Sequence, residues 1–138
     1  MTTQTNRAYN EGGQRTMTLQ ELYTNIDGNY DHAVQIMKTD RLIDKYIRKF
    51  SNNAFADKLT EADGDRAKLF EVAHAMKGVC GNLGWDTLTK EAGVITEECR
   101  SSGRHVMVDY QLKRAVDELV KRIRETEAGI KEYEEGCG

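Results

Sequence analysis

Residues 69–84 read LFEVAHAMKGVCGNLG, and their apolar positions recur with the period of an α-helix. On a wheel of about 100° per residue, one face about 100° wide collects the candidate core residues Leu69, Val72, Ala73, Met76, Cys80 and Leu83. Asp65 precedes this stretch as a candidate N-cap, and Gly84 suits the left-handed position that ends a helix. The stretch therefore predicts one amphipathic helix that buries a single face.

The rest of the chain shows the same helical spacing. Thr18 begins one short predicted helix, and a second follows the turn residues 27–29. A long predicted helix begins after Thr39 and continues until residues 62–65 stop it. Two more follow, one after residue 85 and one from about residue 109 to 134. Their inward stripes are Ile43, Ile47, Phe50 and Ala54; Leu88, Ala92, Ile95 and Cys99; and Leu112, Val116, Leu119, Ile123 and Ile130.

These elements predict the fold class. The chain contains no proline, and proline-free sequences favour uninterrupted helices. Four long helices joined by short turns predict an all-α, antiparallel four-helix bundle with one or two short extra N-terminal helices. Residues 1–16 are polar and aperiodic, so we expect a disordered tail there, followed by one domain over residues 17–138.

Composition excludes several classes of protein. The net charge is −3 and no block of like charge stands out, so we expect no nucleic-acid partner. No apolar stretch approaches the ~20 residues that cross a bilayer, and the first residues lack the apolar core of a signal peptide. Cys80, Cys99 and Cys137 show no short C-x-x-C spacing, which argues against a disulfide framework and a zinc site. We therefore expect a cytoplasmic monomer without membrane contact, with Cys80 and Cys99 as small core residues.

His74 stands apart from the apolar face. It lies about 150° from the centre of that face on the same wheel, so its ring is expected to point to water. Its predicted neighbours are Ala67, Glu71, Gly78 and Gly81, with Phe70 and Lys77 on the flank. Glycine inside a helix costs about 1 kcal/mol relative to alanine. Two glycines beside an exposed histidine therefore indicate space kept clear for a partner's active site or a ligand.

The residue types on this outer face suit one kind of chemistry. An imidazole can act as a neutral nucleophile near pH 7. Lys77, at i+3 from His74, can bring an ammonium group near whatever the imidazole carries, and a phosphoryl group is an anion that lysine binds. A nucleophilic histidine, a cation at i+3 and a glycine at i+4 therefore have a shared chemical logic: His74 could capture such a group, Lys77 could stabilise it and Gly78 could give access to the ring.

The stretch AHAMKG at residues 73–78, followed by GNLG at 81–84, resembles the signature of histidine phosphotransfer (HPt) domains. The resemblance covers residues 27–103 by pattern. Val79 stands where many relatives carry serine, so a local hydrogen bond seen in some of them is not expected here. The resemblance implies a four-helix bundle with the histidine exposed mid-helix.

The resemblance also implies a function. His74 would accept a phosphoryl group from the aspartyl phosphate of a receiver domain and transfer it to another receiver in a two-component phosphorelay. Lys77 would be the supporting cation, and Gly78 would keep the ring accessible. Receivers would dock over Ala67, Phe70, Glu71 and Gly81, and one of them would belong to a hybrid histidine kinase. The chain would be a phosphocarrier rather than an enzyme, with no cofactor of its own, because Mg²⁺ would belong to the receiver.

Two alternatives remain open at this point. A module that docks receivers without being phosphorylated would keep the same face but would not need the histidine. A metal- or ligand-binding bundle would require His32, His74 and His105 to converge in space, because their spacing matches no helical ligand motif. His32 and His105 are otherwise expected to be ordinary surface histidines.

Overall fold

A computed structural model describes residues 17–102 and 105–137, with the side chains of residues 136 and 137 left undescribed. Within these ranges the chain forms helices and no strand, as the apolar periodicity predicts. The predicted tail at residues 1–16 lies outside the described residues. The helices are α1 Leu19–Asn25, α2 Tyr30–Met37, α3 Asp40–Asn52, α4 Phe55–Glu61, α5 Arg66–Leu83, α6 Asp86–Cys99 and α7 Asp109–Cys137. None of the described helices combines the length and hydropathy needed to cross a bilayer.

Helices α5 and α6 form an antiparallel pair joined by a two-residue turn. Arg66, at the start of α5, places its Nη1 atom 3.2 Å from Oε2 of Glu98 at the end of α6. At the opposite end, a Cβ atom added to Gly81 would lie 3.9 Å from Cγ2 of Thr89 near the start of α6. Contacts at both ends therefore fix the direction of the two helices.

Helix α7 runs antiparallel to the segment formed by α3 and α4. The Tyr133 hydroxyl donates a 2.7 Å hydrogen bond to Asp44 of α3, while Arg124 lies 3.1 Å from Asp57 of α4. The later residue of α7 contacts the earlier residue of the α3–α4 segment, and the earlier residue of α7 contacts the later one, so the two run in opposite directions. With α5 and α6, these elements form the predicted antiparallel four-helix bundle, and α1 and α2 are the two short extra helices.

The prediction of one long helix after Thr39 is wrong, because the helix breaks at residues 53–54. Ala54 adopts a left-handed conformation with φ 50°, so it is not part of the inward stripe of α3. In a continuous helix Phe55 would be turned about 140° from Phe50. The break instead buries both rings with their centroids 5.5 Å apart. Burying the second aromatic ring requires a change of helical phase that an unbroken helix cannot provide.

Both predicted ends of α5 are confirmed. The Asp65 side chain accepts a hydrogen bond from the backbone N–H of Lys68, and Gly84 ends the helix with φ 71°. The core face is confirmed except that Val72 is only half-buried and Val79 is buried instead. Burial of the rest of the predicted stripe leaves the opposite face of α5 directed away from the bundle.

The N-terminal helices close the end of the bundle where α5 stops. The Tyr23 hydroxyl of α1 donates a 2.6 Å hydrogen bond to the Leu83 carbonyl, and the Asn29 N–H bonds the Gly84 carbonyl at 2.8 Å. Trp85, which is 2% exposed, packs between Tyr23 and Phe50. These contacts give partners to backbone carbonyls that a helix end would otherwise leave unpaired.

Candidate functional site

The outward side of α5 carries all the residues that the sequence singled out. His74 is exposed, as predicted from the helical wheel, and so are the flanking Lys77 and Gly78. Of the four predicted docking residues, Ala67 and Glu71 are exposed, whereas Phe70 and Gly81 are half-buried. We call this surface the histidine face; its residues are Ala67, Phe70, Glu71, His74, Lys77, Gly78 and Gly81.

The His74 ring lies against the ring of Phe70, one turn earlier in α5. The two planes are 6° from parallel and the centroids are 5.5 Å apart, an offset arrangement that aromatic rings favour. Phe70 itself is partly buried against the core. The imidazole is therefore supported on one side by a ring that the core holds in place.

Lys77 extends from α5 across the neighbouring helix α6. A Cβ atom added to Gly93 would lie 3.9 Å from both Cδ and Cε of Lys77, so the aliphatic part of the lysine passes over a position without a side chain. The lysine remains exposed. A long side chain that packs its stem while its ammonium stays in water can still reach an anion near its own helix.

The two glycines of the histidine face differ in their surroundings. A Cβ atom added to Gly78 would meet no atom within 4 Å, whereas one added to Gly81 would make an ordinary contact with Thr89. Gly78 is therefore not required for packing between helices. Glycine at this position lowers the stability of the helix relative to alanine, and it leaves no side chain on the surface beside His74.

Two residues at the C-terminal end of α6 lie beside the histidine face and were missed from the sequence. The guanidinium carbon of Arg100 lies 5.3 Å from the centroid of the Phe70 ring. Phe70 is also the ring on which His74 stacks. Glu97 accepts hydrogen bonds from Arg100 at 2.8 and 3.3 Å. No local motif identifies them, because they reach His74 only through the packing of α6 on α5.

The ion pair between Glu97 and Arg100 shifts the pKa values of both groups. Hydrogen bonds from Arg100 outweigh partial desolvation and, with the attraction of Arg100 and Lys77, lower the pKa of the Glu97 carboxyl group. The same hydrogen bonds raise the pKa of the Arg100 guanidinium. Two cations and one carboxylate therefore occupy the flank of the histidine face that lies over α6.

The other two histidines and the two buried cysteines are not among the residues of the histidine face. His32 places Nδ1 3.2 Å from Asp86, and His105 lies 3.1 Å from the carbonyl of Arg100. Cys80 and Cys99 are buried, as predicted, and desolvation raises the pKa of both thiols. Across the described ranges, no group of three His, Cys, Asp or Glu side chains is arranged to hold a metal ion.

Fold and site together define a class of protein: a helical bundle with an exposed histidine, and cations beside it, on the outer face of one helix. The chain matches the Hpt domain family over residues 16–126 and belongs to that family. Hpt domains are phosphocarrier modules of two-component phosphorelays, generally without enzymatic activity, and they interact with response-regulator receiver domains. No curated protein and no solved structure was found to match the chain.

Proposed function

We propose that this chain is a cytoplasmic phosphorelay intermediate and that His74 is the residue that carries the phosphoryl group. The observation that supports it most is the exposure of the His74 ring on α5 beside Gly78, a position where an added Cβ atom would meet no atom within 4 Å. In this proposal the active site of the partner approaches a ring nitrogen of His74 from the side that Gly78 leaves open.

The proposed transfer is a simple exchange of bonds. A lone pair on a ring nitrogen of His74 attacks the phosphorus of an aspartyl phosphate on a receiver domain. The acyl P–O bond breaks, the receiver carboxylate leaves with its electron pair, and the imidazole releases its ring proton to solvent. In the second transfer an aspartate of another receiver attacks the phosphorus, the P–N bond breaks and the ring regains a proton.

The chain's own residues position and stabilise the group. The ring of Phe70 orients the imidazole, Lys77 supplies a cation, and Gly78 leaves room for the receiver. Ala67, Phe70, Glu71 and Gly81 would contact that receiver. In this proposal the chain acts as a monomer without a cofactor of its own, the receiver holds the Mg²⁺, and one partner belongs to a hybrid histidine kinase.

The test of this proposal is a labelling reaction with phosphorylated receiver domains from the same cell. We expect transfer of the phosphoryl group to this chain as a modification that acid removes and base leaves intact, as phosphohistidine chemistry requires. A chain that binds receivers but never becomes labelled would instead support the alternative, a docking module without phosphorylation.

Replacing Lys77 with methionine should lower the accumulated phosphorylated form about fivefold, because an exposed charge pair contributes up to about 1 kcal/mol. The stem that packs over Gly93 is retained, so stability should change little. The measurement is the labelled fraction after mixing with a phosphorylated receiver. Lys68→Met is the matched control, since Lys68 is an exposed lysine of the same helix outside the histidine face. Equal losses in the two variants would contradict a specific role for Lys77.

Replacing Gly78 with alanine should raise the free energy of unfolding by about 0.5–1 kcal/mol, because alanine is the better helix former and its methyl group meets no atom. The same variant should slow transfer from the receiver, because the methyl group stands beside the reacting ring. Denaturant unfolding and transfer kinetics measure the two effects. In the control Gly129→Ala the new methyl group would lie 2.8 Å from Cγ2 of Ile26, so no gain in stability is expected. Faster transfer in Gly78→Ala would rule out the access role.

A further inference from the structure

Glu97 interacts with both cations that lie beside the histidine face, Arg100 and Lys77. Its carboxylate oxygens accept hydrogen bonds from Nη2 and Nε of Arg100 at 2.8 and 3.3 Å. Lys77 also attracts this carboxylate, and its stem crosses Gly93, one turn before Glu97 in α6. Glu97 is therefore paired with Arg100 and lies one turn from the position that the Lys77 stem crosses, on the flank of His74 that faces α6.

The second cation is linked to His74 through a ring. Arg100 lies over Phe70, with 5.3 Å from the guanidinium carbon to the ring centroid, and Phe70 stacks on His74. Side chains of Arg100 and Glu97 are 38% and 62% exposed. Ion pairs as exposed as this contribute little to folding, so the pair can separate without disturbing the bundle.

We propose that Glu97 is an exchangeable counter-ion of His74, which holds Arg100 and Lys77 while the imidazole is bare and releases them to the phosphoryl group. This inference rests on the proposed function, because the exchange requires a phosphoryl group on His74. Glu97 acts through the two cations and does not touch the reacting atoms, so it is a positioning residue.

The direction of the exchange follows from charge. A phosphoryl group carries a charge of about −2 and three strong acceptor oxygens, whereas the Glu97 carboxylate carries one negative charge. The cations therefore favour the phosphoryl group once it is present. Because Arg100 and Lys77 must first leave Glu97, they stabilise the phosphorylated form less than two unpaired cations would. Glu97 thus limits the stability of phosphohistidine and keeps the group easy to pass on.

The experiment measures how the phosphoryl group distributes at equilibrium between a receiver domain and this chain. In Glu97→Gln we expect the ratio of phosphohistidine to aspartyl phosphate to rise about threefold, which is the scale of an exposed ion pair. Glu118→Gln is the control: it removes the same charge from an exposed position of α7, and the ratio should stay at the wild-type value. Circular dichroism checks that both variants remain folded.

A second set of variants separates the counter-ion role from a general charge effect. In the Lys77→Met/Arg100→Met background, Glu97→Gln should no longer raise the ratio, because no cation remains to be released. Glu97→Asp should stay close to wild type, because it keeps the charge. No rise in Glu97→Gln, or a rise that persists without the two cations, would overturn the inference while leaving the labelling of His74 intact. Failure to label the wild-type chain at all would overturn the proposed function as well, so the two failures are distinguishable.

Discussion

Replacing His74 with glutamine should abolish labelling by a phosphorylated receiver, reducing the incorporated phosphoryl group by more than about a hundredfold. Glutamine offers no nucleophilic nitrogen, because its amide lone pair is delocalised into the carbonyl group. The side chain at this position is exposed, and substitutions at exposed positions usually change stability by less than about 0.5 kcal/mol. Loss of labelling would therefore report lost chemistry and not lost folding.

The remaining histidines supply the matched controls for that experiment. His32 of α2 pairs with Asp86, and His105, which precedes α7, contacts the backbone carbonyl of Arg100. Neither is among the α5 residues that form the histidine face. His32→Gln and His105→Gln should both be labelled as strongly as the wild type. Labelling that survives in His74→Gln but disappears in one of the other two would identify a different phosphoryl acceptor.

Replacing Gly84 with alanine should reduce the free energy of unfolding by about 3 kcal/mol or more. The left-handed conformation, with φ 71°, costs a residue with a side chain about 1–2 kcal/mol. The new Cβ atom would also lie 2.5 Å from the Asn29 carbonyl oxygen and 3.0 Å from the Ala33 nitrogen. Both are backbone atoms at the entrance to α2, so neither can move aside without shifting that helix, and such overpacking typically adds 1–3 kcal/mol.

Gly64 separates these two contributions. Its φ is also positive, at 79°, but a Cβ atom added there would meet nothing within 4 Å. Gly64→Ala should therefore lose only about 1–2 kcal/mol, the conformational part alone. Denaturant unfolding of both variants measures the difference. Equal losses would show that α2 yields to the added methyl group and that the close approach to Gly84 is not rigid.

Local chemistry explains which parts of the fold were predictable. Asp65 and Gly84 act within a single turn at the two ends of α5, so their types alone predict where this helix begins and ends. The exposure of His74 follows from its angle to a continuous apolar stripe. The same reasoning failed at residue 54, because no glycine or proline marks the break. The sequence did contain one signal of the break. The apolar stripe that ends at Phe50 lies at a different angle around the helix axis from the stripe that contains Phe55 and Leu59.

The residues of the candidate site also divide into those that the sequence could identify and those that it could not. Lys77 and Gly78 lie one turn from His74 on its own helix, so helical spacing is enough to find them. Arg100 and Glu97 come from the end of another helix, and only the packing of α6 on α5 places them near Phe70. Gly93 offered a partial signal, because a glycine inside a helix indicates that some neighbouring group passes closely. It did not indicate that the neighbour was Lys77.

The hydrogen bond from Tyr23 to Leu83 joins residues 60 positions apart, and this has a consequence for motion within the bundle. Helix ends ordinarily fray, opening their last turn without help from the remainder of the molecule. At the C-terminal end of α5 such opening must also detach α1, uncover Trp85 and break the contact between Asn29 and Gly84. The helix that bears His74 is thus anchored at its C-terminal end.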